Sequence, residues 1–190
     1  MKPVRIAIFA SGSGTNAENI AVRFAGSKDI SVAYILSNKP DAFVLERAKK
    51  LNIPTLVFNR QEFYHTDHIL QFLKKESIEW IVLAGFLWLI PAYLVDAYPG
   101  RIINIHPALL PKYGGKGMYG EKVHRAVIEN SDKESGITIH YVNKEYDKGD
   151  IIFQTRCKVE PSDTPETLAA KVHQLEYIHF PAVIEKIILS

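Results

Sequence analysis

Short apolar runs exchange with helical patterns from the start of this chain to beyond its middle, and few architectures accommodate that exchange. Ile6, Ala7, Ile8, Phe9 and Ala10 form a run too short for a helix. It is followed at once by Ser11-Gly12-Ser13-Gly14-Thr15-Asn16, and then by Ala17, Ile20, Ala21 and Phe24 at helical spacing. That is strand, glycine turn, helix. The pattern predicts further strands over 32–36, 55–58, 80–83 and 102–105, and helices over 44–51, 62–76 and 91–98, the last opened by Pro91 at its first position. Repeated βα units join parallel strands, so the expected fold class is α/β: a Rossmann-like, mostly parallel sheet with flanking helices. A helix over 123–130 and a strand over 137–142 come next. The polar turn Asp147-Lys148-Gly149-Asp150 before a strand over 151–159 predicts antiparallel strands near the C-terminal end. A long C-terminal helix over 165–188 follows, capped by Ser162 or Thr164, with Pro181 expected to kink it or split off a last turn.

Composition narrows the class. With 190 residues, 47% of them hydrophobic, the chain can bury one sizeable core, and a single domain over 1–190 is predicted. Net charge is only +2 and the basic residues are scattered among acidic ones, so charge outlines no nucleic-acid or membrane footprint. A small anionic ligand stays open. Cys157 is the only cysteine, which excludes an internal disulfide and a cysteine metal cluster and fits a reducing compartment. The apolar run within 1–10 is shorter than a secretory h-region with its cleavage site, so the expected location is cytoplasmic, as a monomer or weak homodimer. His65, His68, His124, His173 and His179 show no ligand spacing with carboxylates, and no metal is expected.

Three constellations carry chemistry. In the glycine turn, Gly12 and Gly14 let backbone N–H groups approach an anion, hydroxyls add donors, and the helix N-terminus adds partial positive charge, as a phosphate site requires. A plain βα turn capped by Thr15 or Asn16 is the alternative. Read as Gly12-x-Gly14-x-x-Ala17, the same turn approaches a dinucleotide fingerprint and so admits a dehydrogenase. That reading needs an acidic residue at the end of the second strand, where Ser37-Asn38-Lys39 stands instead. Next, Asn104 and His106 are two apart on an extended segment, so an amide and an imidazole point the same way at the carboxyl end of an interior strand. Together they could stabilise an oxyanion, or else cap and brace a structural loop. Last, Glu145, Asp147 and Asp150, preceded by His140, could place a carboxylate beside His106 or simply form an exposed turn.

These residues are familiar as a set. The glycine turn, Ser37-Asn38-Lys39 with Asp41-Ala42, Leu83-Ala84-Gly85-Phe86, Asn104-Ile105-His106-Pro107-Ala108-Leu109-Leu110-Pro111 and the later Asp147 resemble the phosphoribosylglycinamide formyltransferases of the folate-dependent formyltransferase superfamily. The resemblance covers essentially the whole chain. It implies transfer of a formyl group from 10-formyltetrahydrofolate, a co-substrate, to the amine of glycinamide ribonucleotide in de novo purine biosynthesis, with no metal. Related members acting on transfer RNA or hydrolysing formyltetrahydrofolate would be expected to carry an extra domain, for which 190 residues leave no room. A different small amine as acceptor, a deformylase, and a folate- or nucleotide-binding module are the competing readings.

Carried over by residue, the resemblance makes Asn104, His106 and Asp147 catalytic, with His106 protonated and Asp147 keeping it so. Gly12, Ser13, Gly14, Thr15 and Asn16 would hold the substrate phosphate, and His173 and Glu176 would reach the substrate from the last helix. Arg60, Leu87, Trp88, Leu89, Ile90, Asn104, Asn143, Lys144, Glu145 and Tyr146 would contact the folate. The loop 114–122, with Lys116-Gly117-Met118-Tyr119, departs from the family pattern by its length.

Overall fold

The computed structural model describes residues 2–190. Seven strands form one sheet in the order β3-β2-β1-β4-β5-β6-β7. The first five, β1 (Val4–Phe9), β2 (Ile30–Ser37), β3 (Thr55–Val57), β4 (Trp80–Leu83) and β5 (Ile102–His106), are parallel. β6 (Glu134–Tyr141) and β7 (Ile151–Lys158) run antiparallel, as the polar turn between them predicts. The chain leaves β1 in one direction for β2 and β3 and in the other for β4 and β5. Its crevice therefore opens between the carboxyl ends of β1 and β4, where the strand order reverses.

The position of β1 inside the sheet explains why its sequence is apolar from Ile6 to Phe9. Side chains alternate across a strand, so Ile6 and Ile8 face one layer and Ala7 and Phe9 the other. The first layer holds α1 (Thr15–Arg23), α2 (Phe43–Lys50), α6 (Glu121–Glu129) and α7 (Pro165–Leu189) through Ile20, Val44, Val127 and Phe180. The second holds α3 (Arg60–Tyr64), α4 (His68–Lys75) and α5 (Ala92–Ala97) through Phe63, Leu73 and Leu94. No helix among the described residues is long and apolar enough to cross a membrane.

Three expectations need correction. The helix predicted over 62–76 is two helices. Asn59 starts α3 early through a reciprocal capping box with Glu62. The Thr66 hydroxyl then donates to the Glu62 carbonyl at 2.8 Å and accepts from the His68 N–H at 3.2 Å, and this local bonding breaks the ladder. Pro91 is the extended cap before α5 rather than its first residue. Pro181 does not split off a last turn of α7, which runs unbroken to Leu189. A proline at 181 removes the N–H that would bond the Tyr177 carbonyl, and the Asn19 amide of α1 donates to that carbonyl at 2.8 Å instead. Of the two caps proposed for α7, Thr164 serves, paired with Thr167.

Candidate active site

A cavity of about 370 Å³ opens at the carboxyl ends of β1, β4 and β5. Its first wall is the glycine turn. Ser11 is buried and ties three loops: its N–H donates to the Gly85 carbonyl, its hydroxyl donates to Asn38 Oδ1 at 2.7 Å, and the Leu87 N–H donates to that hydroxyl at 3.0 Å. Gly14 has φ +74° and sits so close to α2 that a Cβ there would fall 2.3 Å from Val44 Cγ2, so only glycine fits. The helix start is Gly14 itself with no side-chain cap. Asn16, expected as a possible cap, instead donates to Glu176 Oε2 of α7 at 2.8 Å.

The second wall joins β5, β6 and the loop between β6 and β7. His106 is buried, and its Nε2 lies 2.7 Å from the Tyr113 carbonyl. A carbonyl only accepts, so Nε2 carries a hydrogen and Nδ1 is the nitrogen left for chemistry. Nδ1 faces Asp147 Oδ2 at 3.6 Å, too far for a hydrogen bond and near enough for charge to act. The same logic settles His140, paired across the sheet with Asn104. Its Nδ1 donates to the Tyr141 carbonyl at 2.8 Å, so its Nε2 accepts from Asn104 Nδ2 at 3.1 Å. The second Asn104 hydrogen reaches Asp147 Oδ1 at 3.4 Å, at the weak limit of such bonds.

Asp147 is held in left-handed backbone, φ 54°, and accepts from the Gly115 N–H at 2.9 Å. Of the three acids in its turn it alone comes inward: Glu145 and Asp150 do not line the cavity. Gly149 makes this turn possible, because a Cβ there would meet the Tyr141 carbonyl oxygen at 1.7 Å. Burial works to raise the Asp147 carboxyl, but the His140 and His106 rings and the Gly115 N–H outweigh it and hold the group below the ordinary carboxylate range. For His106, burial dominates and lowers the imidazole below its ordinary value, against the upward pull of Asp147 and the Tyr113 carbonyl. Burial thus favours the neutral ring of His106 in the ligand-free protein.

The third wall belongs to α6 and α7. Burial raises the Glu176 carboxyl above its ordinary value, against the Asn16 amide and His173. His124 is 1% exposed, its Nδ1 has no hydrogen-bond partner, and burial beside His173 and His106 lowers it to about 4.

Residues 4–184 match a family model described as formyl transferase. The chain belongs to the formyl transferase family. A curated relative of this formyl transferase, the chloroplastic phosphoribosylglycinamide formyltransferase of Arabidopsis thaliana, is 42% identical over 95% of the chain, which spans 64% of that relative's length. The phosphoribosylglycinamide formyltransferase of Bacillus subtilis is 37% identical over 97% of this chain and 94% of its own. The crystal structure of phosphoribosylglycinamide formyltransferase from Bacillus halodurans superimposes with a TM-score of 0.86 at 40% identity, covering 96% of this chain and 94% of that one.

The fold of this formyl transferase brings Gly12, Ser13, Gly14, Thr15, Asn16, Leu87, Asn104, His106, Tyr146, Asp147, His173 and Glu176 to one cavity. Seven expected folate contacts do not line it. Arg60 lies over the rings of Tyr64 at 5.0 Å and Trp88 at 5.6 Å. The Leu89 carbonyl accepts from the Tyr64 hydroxyl, and Ile90 is buried in the second core layer. Asn143 donates to the Lys148 carbonyl, while Lys144 pairs with Asp96 and Glu145 with Lys148. Sequence reasoning overlooked Lys39 and His124 as parts of the cavity, missed the Tyr113 carbonyl that holds the His106 ring, and saw no partner for His140. Only the β5–β6 register, set by tertiary pairing, would have placed His140 opposite Asn104.

Proposed function

We propose that this formyl transferase, as one domain over 1–190, moves the formyl group of 10-formyltetrahydrofolate to the amine of glycinamide ribonucleotide. The observation that carries the reading is the convergence of Asn104, His106 and Asp147 on a cavity that also contains the glycine turn. The turn would take the acceptor's phosphate, with Glu176 and His173 beside its sugar. The donor's flat ring system would enter past Leu87 and Tyr146, its tail leaving the cavity toward Trp88 and Arg60.

The neutral amine attacks the formyl carbon and forms a C–N bond, and the carbonyl oxygen becomes an oxyanion. Asn104 meets it with the N–H now held loosely by Asp147, since replacing a 3.4 Å contact costs little. His106 Nδ1 meets it from the other side. An anion arriving at Nδ1 favours the charged ring, so His106 takes up a solvent proton as the oxyanion forms and returns it to solvent when the intermediate collapses, and Asp147 steadies the cation in between. Collapse breaks the bond to the folate nitrogen, which receives the proton lost by the amine, with Asp147 placed to relay it through water. Products are the formamide and tetrahydrofolate. The protein's working place is the cytoplasm and its partners are small molecules, neither nucleic acid nor membrane, with the chain a monomer or weak homodimer.

The test is a spectrophotometric assay of the purified protein with a 10-formylfolate donor. Release of deformylated donor only in the presence of glycinamide ribonucleotide supports the reading. Release without acceptor makes the protein a deformylase, and transfer only to another amine moves it elsewhere in the family.

A further inference from the structure

Ser37-Asn38-Lys39, at the end of β2, has no part in the chemistry above, yet its backbone is held unusually firmly. The Ser37 hydroxyl accepts from the Lys39 N–H and donates to the Lys39 carbonyl, both at 3.2 Å. Asn38 Oδ1 accepts from the Ser11 hydroxyl at 2.7 Å. Beyond them the Val44 N–H donates to the Gly12 carbonyl at 3.1 Å, and Gly14 packs against Val44. The turn after β2 and the glycine turn after β1 are therefore one braced unit. Lys39 is carried on it and lines the cavity beside that turn.

Charge singles Lys39 out. Among the described residues it is the only lysine or arginine lining the cavity. The other cation near the glycine turn, Arg47, is committed: its Nε donates to the Ser13 carbonyl at 2.8 Å and its guanidinium pairs with Glu18. Lys39 makes no ion pair among the described residues. A phosphate monoester carries a charge of roughly −1.5 to −2 at neutral pH, whereas a helix N-terminus offers roughly half a positive charge. Asp147 and Glu176 also line the cavity and leave no surplus of positive charge for an anion.

We propose that Lys39 is the counter-ion for the phosphate of the acceptor and the residue that makes transfer depend on the acceptor being phosphorylated. This rests on the proposed acceptor reading. Lys39 contacts no reacting atom, so its effect falls on binding and on discrimination rather than on the chemical step.

The test compares wild type with Lys39→Met and Lys39→Arg, using transfer kinetics and calorimetric binding of ribose 5-phosphate. Lys50→Met, on the exposed face of α2, controls for general charge loss. Lys39→Met should raise the acceptor KM tenfold or more, leave the KM of the formyl donor within twofold, and weaken ribose 5-phosphate at least tenfold. Lys39→Arg should recover most of both. Added salt should weaken the acceptor more in wild type than in Lys39→Met. An acceptor KM and a ribose 5-phosphate affinity both within twofold of wild type in Lys39→Met overturn the proposal, as does a wild type that binds no ribose 5-phosphate. If wild type fails to formylate glycinamide ribonucleotide, the acceptor reading falls alone, because ribose 5-phosphate affinity in the two proteins still decides the role of Lys39.

Discussion

The working geometry at Asn104 depends on hydrogens that cannot be exchanged at will. The Tyr141 carbonyl fixes His140 in one tautomer, that tautomer fixes which end of the Asn104 amide faces it, and the amide is then ready to offer its N–H to an oxyanion. Asn104→Ala should lower turnover roughly 100-fold or more, the usual cost of one oxyanion donor, about 3 kcal/mol, while thermal unfolding stays near that of wild type. Near-native turnover would remove Asn104 from the mechanism. Asp147 raises the His106 imidazole against burial, so Asp147→Asn should move the His106 titration to lower pH and depress transfer at neutral pH. Ring-proton NMR of the two proteins across pH 4 to 8 reads the shift directly, and an upward or absent shift would contradict the assignment.

At the scale of elements, two joints hold the site's walls in place. The first is the turn between β6 and β7. An alanine at 149 would press its Cβ on the Tyr141 carbonyl, the same carbonyl that orients His140. Gly149→Ala should therefore destabilise the protein by about 1–3 kcal/mol, as overpacking does, and lower turnover as well. Urea unfolding measured alongside kinetics would show both, and a loss of neither would mean the turn relaxes freely. The second joint is α1 against α7, where Asn19 supplies the donor that Pro181 cannot. Removing it with Asn19→Ala leaves the Tyr177 carbonyl without that partner and should cost about 1–2 kcal/mol in the same unfolding measurement.

The whole molecule has an acid limit set by its buried histidines. His124 lies at about 4 in the folded protein against 6.5 in the open chain. Between those values the unfolded chain holds a proton that the folded one lacks, so stability rises with pH and is lost as pH falls from about 6.5 to about 4. His106, also depressed by burial, adds a loss of the same sign. Glu176 works oppositely: its raised carboxyl favours the folded state in acid, and that favour fades as pH rises through its folded value. The His124 contribution amounts to about 3 kcal/mol over the window. Urea midpoints at pH 7 and pH 4.5 should differ markedly in wild type and less in His124→Phe. Equal pH sensitivity in the two would show that His124 does not set the limit.

The parallel sheet was legible from the chain because its signals are local: apolar runs of strand length, glycine turns at their ends, and helical spacing between them. The glycine turn, the Asn104–His106 pair and the antiparallel β7 were readable for the same reason. Asp147 was named through family resemblance, since its turn by composition reads better as exposed, and the close packing of Gly149 beneath the Tyr141 carbonyl and the Gly115 N–H, both tertiary, accompany its inward position. Pro181 misled because a proline's local effect is to break a helix, and the Asn19 amide that bonds the freed Tyr177 carbonyl lies 158 residues before Tyr177 in the chain. The protonation state of His106 likewise depends on how much water the fold removes, which no spacing reports. Local pattern determined the strands, the turns and the identities of the chemical groups. Tertiary structure decided which of those groups meet, which hydrogens they have left to give, and at what pH they carry charge, because burial and long-range pairing come into being only when the sheet closes.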